Sequence, residues 1–414
     1  MRIRASALFI VLVISFVVGA ITSSIVFATY YYKIEFYDLL LYKKLNTNLN
    51  SAIAELKVMP EDALVDSLVW DLYGEGTDSV SAKVKPWGIY EVAQVSSFKG
   101  NKYLHKSFMY GYTLDKESKA ALCLSDSDRG LRISGNTKIV GDCYLPQGVV
   151  KSSNVDGRFY QGSSKLVDGQ VFKSKQNAIT LNESIVTYLD LLLKTNSSTY
   201  TITEGDTSAL LNGFENASLI VDYNDPGLHE KTRIIGNVIL YSLTPITLNK
   251  NIALQDVLVI APSVIIPEGY RGSMQVICSD SIVVKSKVKL LYPSALILIK
   301  NNPATALAHI TMQDNSDVRG VICAYSKFVN EENVVVTIHK ESRVHGQVFS
   351  NANVNCQGTV YGGIISNKLL LKTAVSINEN CLLDAVIDIS KRSPDFIGSK
   401  LLPVSAKRGI VKWL

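Results

Sequence analysis

The side chains best suited to chemistry in this chain are one acidic cluster, five histidines and six cysteines. Asp126-Ser127-Asp128-Arg129-Gly130 begins like a calcium loop, where alternating carboxylates supply hard oxygen ligands, but the later ligands are missing and a turn between strands accounts for it. His105, His229, His309, His339 and His345 are scattered, with no His-Glu-x-x-His spacing to bring two imidazoles to one metal. Gly74-Glu75-Gly76-Thr77 is not followed by the Lys-Ser/Thr that opens the helix of a phosphate loop, so it reads as a turn. Glycan lyases and hydrolases need convergent carboxylates, or a basic residue beside acidic metal ligands. Asp126 and Asp128 are the nearest approach to that. The expectation is a non-enzyme with no catalytic, metal or cofactor-binding residue; a β-helix polysaccharide lyase or hydrolase is the third reading, after the two given below.

The cysteines, at 123, 143, 278, 323, 356 and 381, contain no Cys-x-x-Cys pair and no neighbouring histidine at ligand spacing, which disfavours zinc. Most lie in apolar strand-like runs such as Val276-Ile277-Cys278 and Val321-Ile322-Cys323, where a free thiol packs as a small hydrophobe. Cys123 and Cys143 are the pair that an oxidising compartment could join.

Charge narrows the partners. The 42 Lys and Arg exceed the 37 Asp and Glu by five. Six of the cations (Lys391, Arg392, Lys400, Lys407, Arg408, Lys412) and only one acid, Asp395, fall in residues 391–414. The remainder is balanced, which excludes a broadly basic nucleic-acid-binding body. The chain is 47% hydrophobic and 19% charged, against about 25% charged for ordinary globular domains. With aromatics at 8%, the apolar excess is aliphatic, suited to a membrane span or a stacked β interior.

The elements follow from patterning. From Ala5 to Tyr32 no residue is charged, a longer run than the ~20 residues a helix needs to cross a bilayer core. A cleaved secretory signal fits less well, since its apolar core is shorter and ends at a small-residue site. Arg2 and Arg4 precede the run and Tyr30, Tyr31 and Tyr32 close it as an interfacial belt, which predicts a single-pass protein of the inner membrane, N-terminus cytoplasmic, body periplasmic or extracellular. Beyond it, Leu41, Leu45, Leu49, Ile53 and Leu56 make one helical stripe, so a single helix is expected from about residue 6 to 58.

The opening Arg4-Ala5-Ser6-Ala7-Leu8, the apolar run and its amphipathic continuation resemble the N-terminus of minor pilins and of K-type minor pseudopilins of type II secretion. That resemblance implies peptidase cleavage at Ala5 and Ser6 and packing of the helix among pilus or secretion-apparatus proteins. The family usually has Gly where Ala5 stands, and its major pilins carry Glu where this chain has Ile10. A plain single-pass anchor fits the same residues.

The body carries a repeat, apolar-x-Gly-x-apolar, centred on Gly141, Gly157, Gly169, Gly236, Gly320, Gly346 and Gly362. Alternation sends every second side chain to a shared interior, and Gly permits close approach to a neighbouring coil. Further runs such as Val257-Leu258-Val259-Ile260 and Leu296-Ile297-Leu298-Ile299 read as buried parallel strands. The expected fold is mainly β: a right-handed parallel β-helix (solenoid) preceded by a long N-terminal transmembrane-plus-stalk α-helix, with a β-sandwich pair as alternative. The style of repeat resembles the solenoid cores of bactofilin-type polymer-forming proteins, which typically lack a long spanning helix and stalk.

The expected organisation is 1–33 transmembrane segment, 34–59 amphipathic stalk, 60–120 cap or entry region, 121–390 solenoid with an insertion near 176–230, and 391–414 basic tail. Function is expected to be structural: a membrane-anchored, pilin-like or secretion-apparatus component whose partners are the lipid bilayer and apparatus proteins, without nucleic acid. The second reading is an envelope scaffold or adhesin binding glycan or protein along the solenoid face.

Overall fold

The computed structural model describes residues 5–59, 68–74, 76, 78–175, 180–194, 208–303, 307–328, 333–373 and 375–414. The chain is mainly β, preceded by one long apolar helix, α1 (Ala5–Leu56). It divides into two compact units. The described parts of 5–59, 68–83 and 95–106 form the first; those of 84–94 and 107–414 form the second.

In the first unit α1 changes character along its length. From Ala7 to Leu40 it is exposed, whereas Leu45, Leu49, Ala52, Ile53 and Leu56 are buried, the spacing of one helical face. Around that face Lys44 Nζ pairs with Asp78 Oδ1 at 2.9 Å, and the buried Asn48 amide donates to the same carboxylate. Trp70 Nε1 donates to Glu55 Oε2 at 3.0 Å and the Ser51 and Tyr73 hydroxyls meet at 3.2 Å. The expected stripe is thus present, but residues 34–59 do not stand free: their last turns pack within this unit. Residues 60–67, 75 and 77 of the expected cap or entry region lie outside the described residues.

Four strands follow: β1 (Leu68–Trp70), β2 (Ser79–Trp87), β3 (Tyr90–Lys99) and β4 (Lys102–Leu114). A fifth, Val404–Trp413, joins them from the other end of the chain, in the order β1-β2-β3-β4-terminal strand. β1 pairs antiparallel with β2, and the terminal strand antiparallel with β4, from Val404 opposite Leu114 to Trp413 opposite Phe108. The described part of 60–120 is largely sheet, and the basic segment 391–414 ends as the sheet's last strand. Lys412 reaches the buried Asp256 at 2.6 Å, and Arg408 Nε donates to Tyr112 Oη at 3.3 Å. Residues 115–403 are accordingly inserted between two paired strands.

Within that insertion the pairing is overwhelmingly parallel and closes on itself. Ala253–Ile266 pairs with Arg271–Val284, which pairs with Lys289–Lys300, then Asp317–Ser326, Arg343–Cys356 and Thr359–Lys372. Parallel pairing of successive strands excludes a hairpin-built sandwich. Stacking is not in chain order, however. Leu122–Leu124 lies on Ile364–Ser366, and Cys143–Leu145 and Val171–Lys173 follow beyond it.

Alternation along these strands feeds two apolar layers. Val276, Cys278, Leu296, Leu298, Ile322, Val348 and Ile364 face one interior. Their neighbours Ile277, Ile297, Cys323, Phe349 and Ile365 face outward into a second cluster with Trp87, Tyr90 and Met109 and with helix α2 (Glu183–Lys194) through Val186 and Leu189. Strands buried on both faces read as unbroken apolar runs, which is how these look in the sequence.

Candidate functional site

Three features offer themselves as functional surfaces: the exposed half of α1, the glycine stack and a polar trough on the β body.

From Leu8 to Tyr32 the apolar side chains of α1 are open, with Phe16 the most exposed at 74%. This helix is long and apolar enough to cross a membrane. Three of its hydroxyls bond back to the helix: Thr22 Oγ1 donates to the carbonyls of Val18 and Gly19, Ser24 Oγ to Ala20 and Thr29 Oγ1 to Ile25, all at 2.8–3.0 Å. Hydroxyls that bond back to the preceding turn leave no donor requiring water, the condition for a helix in hydrocarbon. Ala5 and Ser6 stand in the first turn; Arg2 and Arg4 lie outside the described residues.

The repeat glycines separate into kinds. Ser294, Gly320, Gly346 and Gly362 are stacked register partners in four successive strands. A Cβ on Gly320, Gly346 or Gly362 would overlap the backbone carbonyl oxygen of the residue stacked before it, well inside 3.0 Å, and φ at all three lies between +141° and +156°. Gly169 would meet the Gly141 carbonyl oxygen and Gly236 that of Asn212, while Gly141 is enclosed by Ile389 and Ala121. Gly157 differs: with Asp156 it forms the two-residue turn joining the antiparallel pair Val155 and Arg158, and nothing approaches it within 4 Å.

The chemistry-bearing residues do not converge. Asp126 Oδ1 accepts from the Gln147 backbone N–H at 3.0 Å, the Asp128 carbonyl accepts from Gln147 Nε2 at 2.9 Å, and Asn380 Nδ2 donates to Ser127 Oγ at 3.0 Å. The cluster holds a turn in place. His105 stacks on Tyr103, His229 meets the Tyr223 ring edge-on, and His339 approaches Asp314 at 3.8 Å. Among the described residues no group of three His, Cys, Asp or Glu side chains is placed to hold a metal. All six cysteines are free and buried, and burial pushes the thiols of Cys123, Cys143 and Cys356 up to about 12, away from thiolate chemistry. Cys123 and Cys143 sit on adjacent strands but belong to different apolar layers, so they do not pair.

The trough, of about 700 Å³, runs over Ala308–Met312, Val334–Ile338, Arg343–Cys356 and Thr359–Lys372. Its floor is ruled by register: His309, Val335, Asn353 and Lys368 form one row, Thr311, Thr337 and Asn355 the next. His309 Nδ1 and Asn355 Oδ1 are buried without a hydrogen-bond partner. No sequence motif marks this surface, because each row collects residues 15 to 26 positions apart.

No protein-family model matches the chain, and no curated protein matches it. Among solved structures, the competence-associated pilin ComZ from Thermus thermophilus aligns at 9% identity over 92% of this chain and 95% of that one, with a TM-score of 0.19. A likeness of that strength assigns neither fold nor function.

Proposed function

We propose that the chain is a non-enzymatic, single-pass protein of the cytoplasmic membrane whose β body stands on the far side, as a pilin-like or secretion-apparatus structural component. The observation that carries this reading is the division of α1. One half carries no charge up to Tyr32 and exposes apolar side chains from Leu8 onward, with Thr22, Ser24 and Thr29 bonded back to the helix; the other half buries a stripe in a folded unit. A helix built so has its first half free for lipid or for the helices of other subunits, while the second half fixes its direction. The pilin-like part also rests on the resemblance of residues 4–8 and their continuation. Within the same reading the body is a right-handed parallel β-helix, supported by strand-on-strand parallel pairing and the glycine stack.

Mass spectrometry of the mature N-terminus from membranes tests the pilin-like part: a chain beginning at Ser6 is expected, and an intact Met1 or simple initiator removal refutes it. Carbonate extraction with protease accessibility tests the anchor. The body is expected to stay with the membrane and be digested only from the non-cytoplasmic side, and Ile14→Lys with Val17→Lys is expected to release it.

A second reading, in which the body binds glycan or protein along its face, is favoured by the trough. Buried, unpartnered His309 Nδ1 and Asn355 Oδ1 are groups that an incoming hydroxyl or amide would satisfy. Binding to neutral glycan arrays lost on Asn355→Leu is the expected outcome there. Turnover of uronic polysaccharides abolished by Asp126→Ala would overturn the non-enzymatic reading.

A further inference from the structure

A second cleft, of about 370 Å³, opens elsewhere in the insertion, where Asp317–Ser326 and Arg343–Cys356 meet residues 391–396 and the terminal strand. Arg319, His345, Lys391 and Arg392 line it on one side; Tyr292, Phe396, Ile410 and Val411 supply carbon surface. Among the described residues two carboxylates attend this basic side. Asp317 Oδ1 lies 3.5 Å from Arg319 Nε and 3.7 Å from His345 Nε2, and Asp395 is exposed at the rim. Lys391 and Arg392 have aromatic rings in place of carboxylates: Lys391 Nζ sits 5.2 Å from the Tyr361 ring and the Arg392 guanidinium 5.3 Å from that of Phe396.

Arg392 is the telling residue. Its Nη1 is buried with no hydrogen-bond acceptor, and burial lowers its pKa from the ordinary value. A buried cationic donor without an acceptor is costly, and native proteins hold such groups where a partner completes them. The aromatic floor is itself fixed: Tyr292 Oη donates to the Ile397 carbonyl at 3.0 Å, and its ring lies 5.8 Å from that of Phe396. Phe396 in turn covers Gly346, whose missing Cβ leaves room for the ring edge.

We propose that this cleft binds a sugar-sized ring bearing an oxyanion, the anionic group taken by Arg392, Arg319 and Lys391 and the ring's carbon face laid on Phe396 and Tyr292. Guanidinium groups match the oxygens of carboxylate and phosphate, and aromatic faces match the C–H surface of a pyranose. A volume near the lower end of the usual range for small-ligand sites admits one or two such rings. The inference does not depend on how the chain is anchored.

The test is calorimetric titration of the full chain in detergent with a uronic acid disaccharide, its neutral counterpart, a hexose phosphate and inorganic phosphate. Binding of the uronate or of the hexose phosphate, with the neutral sugar and free phosphate at least roughly tenfold weaker, is expected, since losing one charge-assisted hydrogen bond costs about that factor. Which of the two acidic sugars binds tighter distinguishes a carboxylated from a phosphorylated source. Arg392→Met is expected to weaken binding at least tenfold; the exposed Arg319→Ser with Lys391→Ser does the same without touching a buried group. Binding of neither acidic sugar, equal affinity for the neutral one or for free phosphate, or an unchanged affinity in the folded Arg319/Lys391 double variant would overturn the proposal.

Discussion

Substituting alanine at two glycines of the same repeat should give sharply different results. At Gly346 the new methyl would overlap the Gly320 carbonyl oxygen, which the parallel ladder fixes, and lie 2.8 Å from Phe396 Cε2. The residue would also have to hold φ near +146°. Backbone strain of that kind costs about 1–3 kcal/mol and overpacking a filled interior about 1–3 more, so Gly346→Ala is expected to lose roughly 4 kcal/mol. At Gly157, φ is +80° but the methyl meets open space, leaving only the left-handed backbone penalty of about 1 kcal/mol. Guanidinium unfolding of the full chain in detergent, followed by circular dichroism, measures both, with an unchanged slope as the condition for comparing them. Equal losses at the two positions, or a Gly346→Ala variant within about 0.5 kcal/mol of the parent, would refute the argument that the stacked glycines exist for carbonyl clearance.

Four further outcomes follow from individual buried polar groups. Lys412→Met strips Asp256, whose side chain is 5% exposed, of its cation; removing one partner of a buried pair costs about 3–5 kcal/mol, and the same variant should increase proteolysis of the terminal strand. Gln275 holds the turn before β3, its Nε2 donating to the Trp87 carbonyl and its Oε1 accepting from the Ile89 N–H, both at 2.9 Å, so Gln275→Leu should cost roughly 3 kcal/mol by denaturant titration. The buried Gln347 amide has neither atom hydrogen-bonded, and Gln347→Leu should be neutral or stabilising in the same assay. Burial works to raise the Asp190 carboxyl, but hydrogen bonds from Asn301, Lys194 and Lys327 outweigh it and hold the group at about 2. A depressed carboxylate stabilises the fold above its unfolded value of 3.8 and loses that contribution as pH falls through its folded value. Stability should therefore drop by roughly 2 kcal/mol between about pH 4 and pH 2, with a shallower drop in Asp190→Asn.

What could be read from the chain beforehand was what is written locally. The uncharged run to Tyr32 and the Leu45, Leu49, Ile53, Leu56 stripe depend only on neighbours three and four residues away, and the helix begins and ends within two residues of its expected bounds. The glycine pattern is local too, but its meaning is not. Val155-Asp156-Gly157 and Val344-His345-Gly346 share a spelling, yet one glycine serves a hairpin turn and the other lets two strands approach. The pairing of the terminal strand is not written locally: Lys412 meets Asp256 and Arg408 the Tyr112 hydroxyl, residues far off in sequence, so the basic segment alone does not show what it docks on. The rows of the polar trough and the cations of the second cleft are likewise products of register.

The stacking order explains how so large an insertion fits between two paired strands. A solenoid wound in simple chain order would begin at one end of the stack and finish at the other, leaving entry and exit separated by its full length. Here both lie on one strand. Entry residues Leu122–Leu124 pair with Ile364–Ser366, and exit residues Val386 and Ile387 pair with Thr359 and Val360 of the same Thr359–Lys372 strand. The earlier strands then stack on one side of it, through Cys143–Leu145 and Val171–Lys173, and the later ones on the other, through Arg343–Cys356. Leu114 and Val404 are thereby delivered as direct register partners. The entropy of closing the loop is met inside the insertion by parallel pairing and is not charged to the two sheet strands, so the sheet can keep a strand contributed from the far end of the chain.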